Sequence, residues 1–426
     1  MNYIFIFLSS LLLIYVSTRK IDFFTIGVVV FIIYHFNCVY GSVHIHSREA
    51  LGFYLYSDYI SPSLYLLTFS KMIILFVAMV LYDINSYRHA NKLKTEWISK
   101  RSLNEKGVYR SFLLLGIISI SMFTIDVYRV GLTSLAGDKS EVWDSVGVFY
   151  VFTMWSALAI FAYSIKKRKR VLLFFSLPQV LTHLFIGSRA YFAAMLIIFL
   201  ILYRDQLKSS IAANFKIYFA GGIGFFAIMV YRQIVDYIKI FDFETIKVML
   251  VSRETYMWVL RFGEPRIVLA NYNYVLNSGF RLDFSDIFAR LISVFPLANR
   301  LVDPTHNLEF GRILREQLNA SYGLGSTFWG EGYAMFGMVG IFVFFFAWVY
   351  ILKVGSDVIK SNKVNLYFII PLVSYFSFYI HRLAFSKVIG NIKYLVFAAI
   401  VWWLINAIIT NNWIVYTKKE AKTTDV

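Results

Sequence analysis

Residues 322–340 read YGLGSTFWGEGYAMFGMVG, and residues 341–352 continue as IFVFFFAWVYIL. The first stretch holds six glycines and a single carboxylate, Glu331, whereas the second is an uninterrupted apolar run. Such a run predicts a membrane helix. Burying a carboxylate near the start of that helix costs free energy, so we expect Glu331 to be paired or functional. Glycine lets another chain or a ligand approach the backbone closely. Two roles stay open for Glu331: pairing with an arginine, or orienting a hydroxyl nucleophile.

The whole chain has the composition of a membrane protein. Its 426 residues are 59% hydrophobic and 16% charged, with a mean hydropathy of +0.63. The single cysteine, Cys38, excludes an intrachain disulfide. We therefore expect an all-α polytopic membrane protein with about 11 transmembrane helices. The predicted spans are residues 2–16, 23–40, 63–82, 111–128, 146–165, 171–187, 190–203, 215–231, 333–352, 365–380 and 394–410.

Lysine and arginine are distributed unequally between the segments that join these spans. The run KKRKR at 166–170 predicts a cytoplasmic segment, and the segments on its side carry 23 Lys and Arg against 7 in the short loops opposite. This asymmetry predicts an outer N-terminus and a cytoplasmic C-terminus. It also explains the net charge of +17 without a nucleic-acid partner. The organisation that follows is an N-terminal bundle (1–231), a large outer loop (232–331) and a C-terminal bundle (332–426).

The outer loop at 232–331 is rich in arginine. It contains nine arginines and two lysines, whereas the predicted cytoplasmic segments contain seven arginines and sixteen lysines. The planar guanidinium suits bidentate contacts to phosphate or carboxylate. Pairing with the eleven acidic residues of the loop is the alternative. The candidate phosphate-binding residues are Arg253, Arg261, Arg266 and Arg312 in the loop, and Arg189 in a short outer loop.

Candidates for acid–base chemistry are few. His306, in DPTHNLEFGR, follows a predicted helix start and is a candidate general base, although a solvated bystander is the alternative. Glu331 is the second catalytic candidate. The chain has no Walker A sequence, no GxGxxG after a strand, no HExxH and no GxSxG. We therefore predict neither a metal nor a cofactor, and a substrate that arrives already activated.

The glycine-rich stretch carries a family resemblance. GLGSTFWGEGYAMFGMVGIF at 323–342 resembles the Gly-Glu-x-Tyr-x-x-Phe-Gly-x-x-Gly pattern of bacterial O-antigen polymerases of the Wzy type. Gly330, Glu331, Tyr333, Phe336 and Gly337 stand at its positions, with Gly340 as its last glycine. GSR at 187–189 resembles the Ser-Arg of an earlier outer loop in that family. The arginine–ten residues–glycine spacing of that family fits Arg300 with Gly311, and Arg312 with Gly323.

The resemblance implies a GT-C-like fold in a bacterial cytoplasmic (inner) membrane. It implies a glycosyltransferase that polymerises undecaprenyl-diphosphate-linked oligosaccharide repeat units at the periplasmic face, with arginines stabilising the diphosphate leaving group. A chain-length regulator and a flippase of the same pathway would be its partners. Three alternatives remain: an O-antigen ligase, a carrier of lipid-linked oligosaccharide, and a membrane scaffold whose loop binds partners. The predicted spans show no internal repeat, which disfavours the carrier.

Overall fold

The computed structural model describes residues 1–45, 56–92, 105–135, 148–204, 210–295, 310–317, 325–360 and 366–410. Long helices dominate these residues, and all eleven predicted apolar segments fall on helices. These helices are α1 (Asn2–Thr18), α2 (Phe23–Tyr34), α3 (Pro62–Lys92), α4 (Glu105–Val130), α5 (Val148–Lys167), α6 (Leu173–Phe185), α7 (Ala190–Tyr203), α8 (Ile211–Lys239), α14 (Phe328–Ile359), α15 (Leu366–Tyr379) and α16 (Phe385–Thr410).

Shorter elements lie in the large loop and near the N-terminus. The first outer loop forms an antiparallel pair, β1 (Ser42–Ile45) with β2 (Tyr56–Tyr59). The described part of the chain is therefore an all-α membrane fold, as predicted, with this short β pair as a local addition. The described loop helices are α9 (Phe243–Val251), α10 (Arg253–Phe262), α11 (Glu264–Ser278), α12 (Phe284–Ile292) and α13 (Phe310–Gln317).

Six described helices are long and apolar enough to cross a membrane, judged by length and composition. They are α3, α4, α5, α8, α14 and α16. The other five predicted segments lie on α1, α2, α6, α7 and α15, which have 12 to 17 residues. The protein is a helical, multi-pass membrane protein. The full number of crossings and the orientation of the termini stay predictions.

Helix α5 forms the centre of the bundle. It packs against α4, α6, α7, α15 and α16, and Trp155 at its middle is fully buried. Helix α8 lies at the edge and has few buried residues. Helix α8 ends, and α14 and α16 begin, at the same end of the bundle as the loop helices. We call that end the loop face.

The glycines of 330–340 build a sharp corner in α14. Gly337 has φ 68° and ψ −151°, a conformation close to glycine-only backbone, so the chain breaks there into two helical parts. The two parts then pack backbone to backbone: a Cβ on Gly340 would lie 1.9 Å from the carbonyl oxygen of Gly332. The Thr327 side chain caps the first part by accepting from the Gly330 amide at 3.3 Å. Glycine is therefore needed here for tight folding of the chain on itself.

Candidate functional site

A cavity of about 660 Å³ opens on the loop face. Its walls come from the start of α7, from α13, from the turn before α14, and from the junction between α15 and α16. Four cationic residues line it, and its described lining includes no carboxylate. The other polar groups are hydroxyls and one amide. The cationic and polar residues are Arg312, Arg315, Arg382, Lys387, Ser188, Ser326, Ser386, Asn391, Tyr191, Tyr375, Tyr379 and Tyr394.

One buried carboxylate, Glu264, lies behind this cavity at the start of α11. Arg189 Nη2 donates to its Oε2 at 2.7 Å, and Arg382 Nη1 pairs with the same oxygen. The hydroxyl of Tyr34 donates to Oε1 at 3.0 Å. Arg232 lies within electrostatic range. We call these residues the Glu264 cluster. Three guanidinium groups surround one carboxylate, so the cluster carries surplus positive charge.

The electrostatics of Glu264 reflect this imbalance. Burial alone raises the pKa of its carboxyl, but Arg382, Arg189 and Arg232 outweigh burial and bring the pKa to about 2. Glu264 is therefore ionised at neutral pH and holds Arg189 and Arg382 in place. Since Arg382 belongs both to the cluster and to the cavity wall, the cluster fixes a cation at the edge of the cavity.

Two of the predicted phosphate-binding arginines come together at this site. Arg189 is in the Glu264 cluster, and its neighbours Ser188 and Ala190 line the cavity. Arg312 lines the cavity from α13, with its side chain 61% exposed and its Nε 3.3 Å from Glu316.

The other candidates lie elsewhere or are not described. Arg253 is exposed at the start of α10, and Arg266 is half-buried in α11; the described cavity lining includes neither. The side chain of Arg261 lies outside the described part of the structure, and so does the whole of His306.

Sequence reasoning missed five charged residues of the site: Glu264, Arg232, Arg315, Arg382 and Lys387. For Arg382 and Lys387 a signal existed. The short outer loop 381–393 carries three cationic residues against the inside bias, the same departure that drew attention to Arg189. Glu264 gave no such signal, because its partners are 75 and 118 positions away in the chain.

Glu331 lies outside the described cavity lining and is fully buried. Arg290 Nε donates to its Oε1 at 2.9 Å, and the backbone amide of Phe385 donates to its Oε2 at 2.6 Å. Both oxygens therefore have strong donors. Phe385 is the first residue of α16, whose next two turns line the cavity. The sequence left two roles open for Glu331, and the contact with Arg290 corresponds to the first, pairing with an arginine. Through its contact with Phe385, Glu331 also positions α16 and so one wall of the cavity.

No family model matches the chain, and neither a curated protein nor a solved structure matches it.

Proposed function

We propose that this protein is a glycosyltransferase that polymerises undecaprenyl-diphosphate-linked oligosaccharide repeat units at the outer face of a bacterial cytoplasmic membrane. The observation that carries the proposal is the loop-face cavity, with four cationic residues and no carboxylate in its described lining. In this proposal the loop face is periplasmic, the N-terminus is outside and the C-terminus is cytoplasmic. The substrate reaches the cavity from the surrounding lipid.

The cavity has the charge that such a reaction needs. A hydroxyl of the acceptor sugar attacks the anomeric carbon of the donor, and the bond from that carbon to the diphosphate oxygen breaks. The departing diphosphate takes the electron pair, and the hydroxyl proton passes to a base. Fixed cations stabilise the charge that grows on the leaving group. In this proposal Arg382, Arg312, Arg315 and Lys387, which line the cavity, supply these cations.

The size of the cavity suits the reacting part of the substrate, a diphosphate with its first sugars. Small-ligand sites occupy about 300–1,000 Å³, and this cavity of about 660 Å³ falls within that range. Hydroxyls and an amide lie beside the cations, and such groups hydrogen-bond sugar hydroxyls. We assign the cationic part of the lining to the diphosphate and the tyrosine, serine and asparagine groups to the first sugars.

The base is assigned from the sequence. Because both oxygens of Glu331 are occupied by Arg290 and Phe385, we propose a positioning role for Glu331 and keep His306 as the predicted base. His306 precedes α13 by four residues in the chain, and α13 supplies Arg312 to the cavity.

The test is a gel of surface polysaccharide from a strain that lacks this protein. We expect core bearing one repeat unit with the ladder lost, and restoration of the ladder by the wild-type gene. Bare core without a sugar unit would contradict the polymerase and favour the ligase or the carrier. An unchanged ladder would remove the O-antigen function altogether.

The same strain then tests the cavity. Arg382→Gln should fail to restore the ladder at normal membrane abundance, and Arg382→Lys should restore it poorly, because lysine lacks the fork. Arg253→Gln is the matched control, since Arg253 is an exposed loop arginine outside the described cavity lining. A full ladder with Arg382→Gln, or loss of the ladder with Arg253→Gln alone, would contradict the assignment of this cavity.

A further inference from the structure

Helix α12 buries a charged residue and exposes large apolar ones, the reverse of the usual pattern. Its buried residues Ala289 and Arg290, with Ser293 just beyond its end, pack against the protein. An exposed apolar stripe runs along it: three residues on the helix are spaced by four and three positions and occupy one narrow side, and a fourth follows in the turn after the helix. Because of that spacing, the stripe points away from the buried residues. Its members are Phe284, Phe288, Leu291 and Phe295, and their exposed fractions are 81%, 54%, 41% and 65%.

The protein-facing side of α12 is held by charged contacts. Arg290 pairs with Glu331 in the first turn of α14, and both side chains are completely buried. Just beyond the same end of α12, Lys393 of α16 donates to the carbonyl oxygens of Ser293 and Phe295. A cation there also complements the negative end of the helix dipole. The last turn of α12 is therefore held against α14 and α16, with the stripe on the opposite side of the helix.

These contacts also set the depth of α12 relative to the spans. Glu331 and Lys393 both lie near the loop-face ends of helices that qualify as membrane spans. The exposed apolar surface of α16 begins at Val396 and Phe397, one turn beyond Lys393. On α14, exposed apolar residues begin at Phe336, five positions after Glu331. The C-terminal end of α12, which Lys393 contacts, is therefore close to the apolar surface that α16 exposes.

We propose that α12 is an interfacial helix whose stripe of Phe284, Phe288 and Leu291, continued by Phe295 in the turn that follows, is embedded in the leaflet of the bilayer on the loop-face side. An apolar side on a short helix at the end of a membrane bundle is the pattern of helices that lie in the headgroup and acyl-chain boundary. The stripe contains no charged residue, and its neighbours on α14 and α16 already face lipid. The middle of the large loop is thus anchored in the membrane on one side and to the bundle on the other.

The experiment uses the full chain in vesicles of phosphatidylethanolamine and phosphatidylglycerol. Phe284→Cys, Phe288→Cys and Leu291→Cys are each labelled with a nitroxide, while Cys38 is buried and the unmodified chain gives the background. Oxygen concentrates in lipid and a nickel chelate stays in water, so the ratio of their relaxation effects reports the surroundings. The aqueous reference is Ser278→Cys, at the exposed end of α11.

We expect the oxygen-to-nickel ratio at all three stripe positions to exceed that at the Ser278→Cys position several-fold. Nickel access equal to that of the reference would mean that the stripe lies in water, and would overturn the proposal. Low access to both reagents would mean that protein covers the stripe, either a second copy or another protein, and would overturn it as well. All three positions are exposed, so the substitutions leave the packed side of α12 intact.

Discussion

Glu264 and Glu331 are both buried carboxylates on the loop face, but their surroundings differ in charge balance. Glu331 meets one guanidinium, that of Arg290, and one backbone amide. Glu264 meets Arg189 and Arg382 directly, with Arg232 within electrostatic range. The first arrangement is neutral and closed, whereas the second has surplus positive charge and shares Arg382 with an open cavity.

This difference separates a structural pair from a binding site. A neutral buried pair offers nothing to an incoming anion, and both of its partners are already satisfied. A cluster with surplus cations is stabilised further when an anion arrives. From this comparison we infer that Glu331 holds α12, α14 and α16 together. Glu264 holds the guanidinium of Arg382 at the wall of the cavity.

The largest expected effects on stability come from removing either buried carboxylate, and the neutral pair is the simpler case. Glu331→Leu leaves Arg290 buried without its carboxylate and should cost about 3–5 kcal/mol of unfolding free energy. The double variant Glu331→Leu with Arg290→Met should recover most of that loss, because an apolar pair of similar volume needs no desolvated charge. Thermal unfolding in detergent measures both. Ladder formation by the double variant would show that Glu331 acts through structure, and a stable double variant without any ladder would instead return Glu331 to the chemistry.

The matched experiment on the Glu264 cluster should end differently. Glu264→Leu should again cost about 3–5 kcal/mol, and Arg189→Leu added to it should restore only part of the stability, because Arg382 remains without its partner. Polymer formation should stay lost in the double variant at matched membrane abundance, measured as the ladder on a gel. A double variant with full stability and a full ladder would mean that both clusters are structural.

The helices could be predicted from the sequence because they depend on local properties. The site could not, because it depends on contacts between residues that are distant in the chain. Hydropathy is a property of neighbouring residues, so each apolar run could be placed on a helix from the sequence. The glycines of 330–340 predicted that another chain or a ligand would approach the backbone closely. The group that approaches is the same chain, which folds back on itself at Gly337. The meeting of Arg189, Glu264 and Arg382 depends on how three distant segments pack. No spacing in the sequence predicts this contact. For the same reason the sequence could not distinguish Arg312, which lines the cavity, from Arg253 and Arg266, which do not belong to its described lining.

The pH dependence of stability should also reflect the charge balance around Glu264. Its arginines hold the pKa of Glu264 at about 2, below the ordinary 4.5. The stabilisation is therefore complete above pH 4.5 and is lost as the pH falls toward 2, with a span of roughly 3 kcal/mol. Thermal unfolding of wild type and Glu264→Gln across this window measures it. The two curves should converge at the acid end; parallel curves would mean that Glu264 gains nothing from the arginines.

The smallest of the expected effects concerns Arg312, an exposed member of the cavity lining. Its side chain is 61% exposed and pairs with Glu316 across one helical turn, so solvent screens its charge. Arg312→Ala should reduce polymer formation about tenfold, equivalent to about 1.4 kcal/mol, with unchanged stability. Glu316→Gln is the control: it removes the pair and keeps the cation, so polymer formation should not fall.

Because screening grows with ionic strength, the difference between wild type and Arg312→Ala should shrink in high salt when the reaction is run with purified components. A loss that is independent of salt would place Arg312 in close, water-excluded contact with substrate and so raise its role to that of Arg382.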